Sequence, residues 1–199
     1  MSSDLQRIIA FIVELDKLKA VLRKTKPVGL DRYENIAEHS WQVCLLAQLL
    51  SEYANTPLDI VRVTELLLVH DIPEIDVGDQ IVYQTRDKSR ADAERQAAAR
   101  IFGLLPQRQA GWLMSRWQEY EDRKTSEAAF AHAIDRLMPV LHNINNNGQS
   151  WRENRVSVEK IRAVNAVIGE VCPAVWELVQ DSLEQLSKEG VFDYGVGST

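Results

Sequence analysis

The chain contains little cysteine, glycine or proline, and each shortage excludes a class of protein. Its 199 residues include only two cysteines, Cys44 and Cys172, and both lie in apolar contexts. A secreted domain held together by disulfides needs more, so we expect two reduced thiols in the core. Nine glycines and six prolines are too few for a collagen-like or low-complexity chain.

The chain also lacks a long hydrophobic run and an excess of basic charge. Nowhere do about 18 apolar residues follow one another, so no membrane-spanning helix is predicted. The net charge of −6, from 23 basic and 29 acidic residues, argues against tight non-specific binding to nucleic acid, which requires a basic surface. The first residues carry acids within an apolar pattern and show no small-residue cleavage site, which favours a cytoplasmic protein.

What the chain does contain is an ordinary globular composition, with 45% apolar and 26% charged residues. Its length suits one domain that buries a core without needing disulfides or oligomerisation to fold. We therefore expect a single domain over residues 1–199. Its core is expected within about 5–188, with a frayed tail at 190–199.

Apolar residues recur at intervals of three and four, which is the period of an amphipathic helix. Capping residues, glycines and prolines divide this pattern into segments, and Thr56 followed by Pro57 predicts a helix start at residue 57. Residues 72–88 show no sustained period and are predicted to form a loop. The sequence predicts an all-α bundle of about seven to eight helices, over residues 4–22, 34–50, 57–70, 89–102, from 106 onward, 125–143, 157–169 and 173–188.

The dipeptide His70-Asp71 ends the apolar stripe of the third predicted helix and carries the clearest chemical signal. An imidazole and a carboxylate are costly to bury there unless a cation compensates for their lost hydration. His39 and Asp135 lie at inner-face positions of two other predicted helices. Two imidazole nitrogens and two carboxylate oxygens suit one divalent ion, Mn, Co, Ni, Fe, Zn or Mg, with positions left for water and substrate. We therefore predict a catalytic metal site.

Three segments around these residues resemble the HD-domain metal-dependent phosphohydrolases. They are EHS, which contains His39, the run HDIPEIDVGD from His70 to Asp79, and DRLMP, which begins at Asp135. Their order and spacing are similar to those of the small HD hydrolases that include bacterial 5′-deoxynucleotidases, over roughly residues 18–151. The pattern HDxxExxxGD with both flanking segments is far more specific than a bare HD dipeptide.

The resemblance implies a single compact helical HD domain that releases phosphate from (deoxy)nucleoside 5′-monophosphates. It places Glu74 and Asp79 in the catalytic pocket. Glu74 lies one helical turn beyond the histidine of the dipeptide, where it is suited to handle the proton of the attacking water and later to protonate the leaving group. Asp79 shares the acid role or holds the sugar, and Gly78 before it permits a turn with positive φ. The implied metal ligands are His39, His70, Asp71 and Asp135.

A phosphate ester also needs cations for its non-bridging oxygens, and the segment LKAVLR supplies one. This segment looks like the LK-x-x-x-R segment of the family, in which the arginine contacts the substrate phosphate, so Arg23 is the implied contact. Lys24 follows where the family's deoxynucleotidases often have tryptophan. We expect both side chains to contact a small nucleotide or phosphate-ester substrate, and the departure at Lys24 leaves the base and the sugar unassigned.

Other interpretations stay open from the sequence alone. The same residues suit an HD phosphohydrolase that cuts a phosphodiester, a nucleoside triphosphate or a non-nucleotide monophosphate, or a non-catalytic HD binding module. His132 and His142 flank Asp135 and admit a second metal. Asn143 and Trp151 match a downstream family pattern without an assigned role. Apolar and tryptophan-bearing surfaces on the later helices predict a homodimer interface.

Overall fold

The computed structural model describes residues 3–83 and 88–194. Over these residues the chain is helical, and its β-pairing consists of one isolated antiparallel bridge between Leu22 and Asn35. The all-α prediction is confirmed: eight of the described α-helices have eight residues or more, and three are single turns. In chain order the described helices are α1 Ser3–Glu14, α2 Ile36–Leu50, α3 Ile60–Val69, α4 Glu74–Val77, α5 Lys88–Phe102, α6 Gln107–Asp122, α7 Ser126–Asn145, α8 Gln149–Glu153, α9 Val158–Asn165, α10 Val167–Val171 and α11 Pro173–Lys188.

The third helix begins later than the sequence predicts, and its cap explains the difference. α3 starts at Ile60, because the Asp59 carboxylate accepts hydrogen bonds from the backbone N–H groups of Val61 and Arg62. These bonds satisfy two of the N–H groups that the start of a helix leaves unpaired. The predicted start at residue 57 is therefore wrong.

Two other boundaries differ from the prediction. The first α-helix ends at Glu14, and the chain continues as a 3-10 helix over Leu15–Ala20 instead of as one α-helix to residue 22. Such tighter turns are common at the ends of α-helices. The loop predicted at 72–88 contains the four-residue α4, which is too short to produce a periodic pattern. Residues 84–87 of that loop lie outside the described residues.

The C-terminal tail is packed as far as the structure describes it. Val191 is buried against the core, and the hydroxyl of Tyr194 donates to the backbone carbonyl of Val156 at 2.7 Å. These contacts place Val191 and Tyr194 against the rest of the chain, and the fraying expected over 190–199 stays a prediction. Residues 195–199 lie outside the described residues.

The core consists of two hydrophobic clusters, and several helices contribute to both. α2 places Ile36 in one cluster and Val43 in the other, while α3 places Val69 in the first and Leu66 in the second. α7 runs through the second cluster and packs against α2, α3 and α6. The middle of α2, the end of α3 and the middle of α7 therefore meet where the two clusters join.

Both cysteines are free thiols in the structure, as predicted. Cys172 is buried and Cys44 is half-buried. Burial raises the pKa of Cys44 to about 11, which keeps its thiol protonated and unreactive at neutral pH.

Exposed large apolar side chains lie mostly on α1 to α3. Trp41 and Leu49 on α2 are both more than half exposed, whereas the later helices contribute Trp112 and Leu178. The apolar surface is therefore not concentrated on the later helices, where we expected an interface. No described helix is long and apolar enough to cross a membrane.

Candidate metal centre

The four predicted ligands meet where the two hydrophobic clusters join. His39 lies on α2 and Asp135 on α7, while the dipeptide His70-Asp71 directly follows α3. One nitrogen or oxygen atom from each of these residues lies within 4.8 Å of those of the other three. Both imidazoles are buried and both carboxylates are half-buried. The group is able to bind a metal ion.

The surroundings of His70 fit a cation bound at its Nε2 atom. Nδ1 lies 2.7 Å from the carbonyl oxygen of Leu67, which can only accept a hydrogen bond, so Nδ1 carries the proton. Nε2 is buried, makes no hydrogen bond within the described chain, and lies 3.0 Å from Oδ2 of Asp71. Burial alone would lower the pKa of His70, but Asp71 and Asp135 outweigh it and raise the pKa well above its ordinary value. The negative potential from Asp71 and Asp135 that favours a proton on Nε2 also favours a metal ion there.

Asp135 is held from two sides. Nε2 of His39 lies 3.0 Å from Oδ1, and the hydroxyl of Tyr120 donates to Oδ2 at 3.0 Å. Burial alone would raise the pKa of Asp135, but the two histidines and Arg23 lower it well below its ordinary value. Asp135 is therefore ionised at neutral pH, which metal binding requires. Tyr120 belongs to the apolar stripe of α6 with Leu113 and Trp117, so the sequence pattern gives no sign of this contact.

Glu34, which the sequence did not single out as a site residue, lies directly behind His39. Its carboxylate is fully buried, and Oε2 lies 3.3 Å from Nδ1 of His39 and 3.4 Å from Nε of Arg23. A carboxylate behind a ligating imidazole orients the ring and increases its basicity. The available signal was an acid one residue before the Asn35 cap of α2, which we interpreted only as a helix start.

Arg23 lies against the ligand cluster, and Lys24 lines the same pocket. Nη1 of Arg23 donates to Oδ2 of Asp71 at 2.8 Å, and Nη2 lies 3.7 Å from Oδ1 of Asp135. Burial alone would lower the pKa of Arg23, but these carboxylates raise it above its ordinary value, so the guanidinium stays charged. The side chain of Lys24 is exposed.

Glu74 and Asp79 line the pocket beside the cluster. Glu74 is the first residue of α4, and its Oε2 atom is buried without a hydrogen bond among the described residues. Burial, followed by the charges of Asp71 and Asp79, raises the pKa of Glu74 well above its ordinary value. Burial also raises the pKa of Asp79. Gly78 has a φ of 72°, the positive value that the sequence predicted for the turn between these acids.

The cluster opens into a cavity of about 200 Å³ whose wall contains further arginines. Arg90 lines it and supports α4, because its Nη1 donates to the carbonyl of Val77 at 2.7 Å. Arg123 and Arg136 line the cavity beside α7. Acids at the metal cluster and cations around it suit an anionic substrate.

The structure gives no support for a second metal at His132 and His142. Within the ranges 3–83 and 88–194, neither belongs to a group of side chains close enough to share an ion. His132 packs edge-on against Tyr120, with ring centroids 6.1 Å apart. Nδ1 of His142 lies 3.9 Å from Oε1 of Glu34.

Asn143 and Trp151 connect α7 to α8. Oδ1 of Asn143 accepts hydrogen bonds from the backbone N–H groups of Ser150, at 2.8 Å, and Trp151, at 3.2 Å. The indole of Trp151 is buried, and its N–H donates to the hydroxyl of Tyr83 at 2.9 Å. These two residues therefore hold one end of the pocket together.

Comparisons with a family model and with solved structures relate most of this chain to known proteins. The sequence model of the HD domain matches residues 15–176. A solved structure from Magnetospirillum magnetotacticum, described as a predicted metal-dependent phosphohydrolase, is 40% identical and superposes with a TM-score of 0.88, over 96% of this chain and 98% of that one. A conserved hypothetical protein from Pyrococcus furiosus, 19% identical with a TM-score of 0.60 over 86% of this chain and 99% of its own, shares the fold.

Curated relatives match at lower identity. The 5′-deoxynucleotidase HDDC2 of Homo sapiens is 28% identical over 114 residues, which are 57% of this chain and 54% of that protein. The protein of the same name from Dictyostelium discoideum is 24% identical over 138 residues, 66% of this chain and 73% of its own length. The matched region thus spans about half the length of the human relative. The HD-domain match, and the 40% identical structure along nearly its whole length, place this chain in the HD domain family.

Proposed function

We propose that this chain is a divalent-metal-dependent phosphohydrolase that releases phosphate from nucleoside 5′-monophosphates, deoxyribonucleotides among them. One observation carries the proposal. The atoms of four potential ligands lie within 4.8 Å of one another beside a pocket that Glu74 lines with a buried oxygen, and this oxygen makes no hydrogen bond among the described residues. The printed names of the human and Dictyostelium relatives support the substrate class.

In this proposal four side chains hold the ion: His39, His70, Asp71 and Asp135. A divalent ion held there would lower the pKa of a water and offset the charge of a phosphoryl oxygen. Glu34 keeps the ring of His39 oriented, and the Leu67 carbonyl does the same for His70. The protein thus presents two fixed imidazole nitrogens and two ionised carboxylates to one point.

In this proposal Glu74 transfers the proton from the attacking water to the leaving oxygen. Burial, followed by the charges of Asp71 and Asp79, raises its pKa well above the ordinary value, so Oε2 is a stronger base than an exposed carboxylate and can take up a proton from the attacking water and return one to the leaving oxygen. Asp79 lies in the same pocket and adds a second acid whose pKa is raised by burial. The two acids surround the position of the ester oxygen in this proposal.

Arg23 and Lys24 bind the phosphate. Arg23 is buried, charged and close to the cluster, so its guanidinium can donate to non-bridging oxygens and offset their charge. Lys24 contributes a second cation from the exposed part of the pocket wall. Phosphate release then leaves the nucleoside as the other product.

The test is phosphate release by the metal-stripped protein after reconstitution with Mn, Co, Ni, Fe, Zn or Mg, each separately. Ribo- and deoxyribonucleoside 5′-monophosphates with each base serve as substrates. We expect release with at least one ion and several nucleotides. A protein that binds the ions and releases no phosphate from any of these substrates contradicts the proposal.

Two variants separate metal binding from proton transfer. Asp71→Ala should lose both the metal and the activity, because it removes a ligand. Glu74→Gln should keep the metal and lose about 10²- to 10⁴-fold in turnover, because an amide cannot exchange the proton. Asp76→Asn is the matched control on α4, since Asp76 pairs with Arg100 outside the pocket lining. Full turnover in Glu74→Gln would remove Glu74 from the mechanism.

A further inference from the structure

Beyond Asp135, α7 lines the cavity with a row of side chains that the proposed chemistry does not use. His132, Arg136, Val140 and Asn143 follow one another at helical spacing, and all four line the cavity. Arg136 is the charged member of this row. It follows Asp135 directly, so its side chain leaves the helix about 100° around the axis from the metal cluster.

One buried N–H donor of the Arg136 guanidinium has no hydrogen-bond acceptor among the described residues. Its Nη1 atom is buried and makes no hydrogen bond among residues 3–83 and 88–194. By contrast, Arg62 donates to both carboxylate oxygens of Glu119, and Arg116 donates to Glu65. A buried cationic donor without an acceptor is costly, so its presence in a cavity points to a partner that arrives with the substrate.

The charges near Arg136 favour an anion over a neutral acceptor. Arg123 lines the same cavity and places a second guanidinium in its wall. Burial and these two arginines lower the pKa of His132 to about 3, so this imidazole is neutral at pH 7 and does not add charge. Asp135 already accepts a hydrogen bond from the hydroxyl of Tyr120, and its Oδ1 lies 3.0 Å from Nε2 of His39. Arg123 and Arg136 therefore line this cavity together with Glu94 and Glu121, and Nη1 of Arg136 makes no hydrogen bond to either acid or to any other described residue.

We infer that Arg136 binds a second phosphate group of the substrate, distinct from the one that is released. The inference rests on the proposed function, in which Arg23 and Lys24 bind the phosphate at the metal cluster. Among the substrates of the proposed reaction, the preferred nucleotide then carries a second phosphate besides the one released, either on another sugar position or joined to the released one, and this second phosphate stays on the product. Arg136 becomes a specificity-determining residue, with Arg123 adding positive potential from the rim.

The experiment compares three substrates that share one base and sugar: 2′-deoxyadenosine 5′-monophosphate, its 3′,5′-bisphosphate and its 5′-diphosphate. Binding and turnover are measured with the wild-type protein, Arg136→Gln, Arg136→Lys and Arg108→Gln. Arg108 is an exposed arginine near the start of α6 and outside the cavity lining, which makes it the matched control.

We expect the wild-type protein to favour one of the two doubly phosphorylated nucleotides at least about tenfold in kcat/KM, the value of one charged hydrogen bond. Arg136→Gln should raise KM for that nucleotide about 10- to 100-fold and change the monophosphate less than about threefold. Arg136→Lys should retain part of the preference because it keeps the charge. Preference for the 3′,5′-bisphosphate would place the second phosphate on the sugar, whereas preference for the 5′-diphosphate would place it on the first phosphate.

Three results overturn the inference. They are equal kcat/KM for all three substrates in the wild-type protein, an undiminished preference in Arg136→Gln, and an equal loss for all three substrates in that variant. The last result would mean that Arg136 only supports the charge balance around Asp135. If no substrate is turned over, the proposed function fails. The inference is then tested separately by calorimetry, which measures the dissociation constants of the three nucleotides for the metal-loaded wild-type protein and variants. The same tenfold preference and its loss in Arg136→Gln are expected in these constants.

Discussion

His132 provides a test of the burial that the structure gives to the pocket wall. Its side chain is buried, with a relative exposure of 6%, and burial followed by the charges of Arg123 and Arg136 lowers its pKa from 6.5 to about 3. Because the folded pKa lies below the unfolded value, the unfolded chain takes up the proton first. The contribution to stability is therefore complete above pH 6.5 and is lost as the pH falls toward 3. Each pH unit below 6.5 lowers the free energy of unfolding by about 1.4 kcal/mol, so this free energy falls by about 2 kcal/mol between pH 7 and pH 5.

The assay is urea unfolding at pH 7 and pH 5, with a chelator present so that loss of metal does not contribute. His132→Gln keeps a polar side chain of similar size and removes the titration. We expect its free energy of unfolding to fall about 2 kcal/mol less than that of the wild-type protein between the two pH values. His142, whose pKa is also lowered by burial, is present in both proteins and cancels in the comparison. Equal losses in the two proteins would refute the argument.

Three further predictions concern the cap of α2, the carboxylate behind His39 and the metal itself. Asn35→Ala should lower the free energy of unfolding by about 1 kcal/mol in urea, because Asn35 accepts from the backbone N–H of Glu38 and completes a capping box; an unchanged midpoint would contradict this. Glu34→Gln should weaken metal affinity about 10- to 100-fold in competition with a chelating dye, because a neutral amide supports the imidazole less well; unchanged affinity would exclude this role. Saturating the stripped protein with metal at about 100 times Kd should add about 2.7 kcal/mol of stability in calorimetry, and no shift would mean that no ion binds the folded state.

The helices were predictable from periodicity, and the convergence of the four potential ligands from periodicity together with the HD resemblance. His39 and Asp135 interrupt apolar stripes at inner-face positions, so periodicity predicts that both point into the core. Periodicity does not fix their heights along the two helices, and the HD resemblance supplied that part of the prediction. The start of α3 was not predictable from the same rule. Thr56-Pro57 and Asp59 are both good start signals, and only the hydrogen bonds made in the folded chain decide between them.

Glu34, Tyr120 and Arg136 were not predicted as site residues, and the reason differs from that for the start of α3. Glu34 and Tyr120 act through contacts with residues far away along the chain, and each also satisfies a local pattern, a helix start in one case and an apolar stripe in the other. Arg136 belongs to the DRLMP segment, in which we assigned a role only to Asp135, as a metal ligand. The burial of its Nη1 atom, which makes no hydrogen bond within residues 3–83 and 88–194, is apparent only once α7 is packed beside the cavity. Local pattern thus predicts which helices meet, whereas packing decides which polar groups lack a partner.

Arg23 shows how one side chain serves both halves of the proposed site. Its guanidinium has five N–H donors in a planar fork, of which Nη1 donates to Asp71 while Nε faces Glu34. The remaining donors on Nη1 and Nη2 stay available for a phosphate, so Arg23 can bind the substrate without releasing the ligand Asp71. A lysine ammonium has three donors at one point and would have to divide them between the carboxylates and the phosphate. The geometry therefore explains why the residue against the ligand cluster is Arg23, while Lys24 occupies the exposed position beside it.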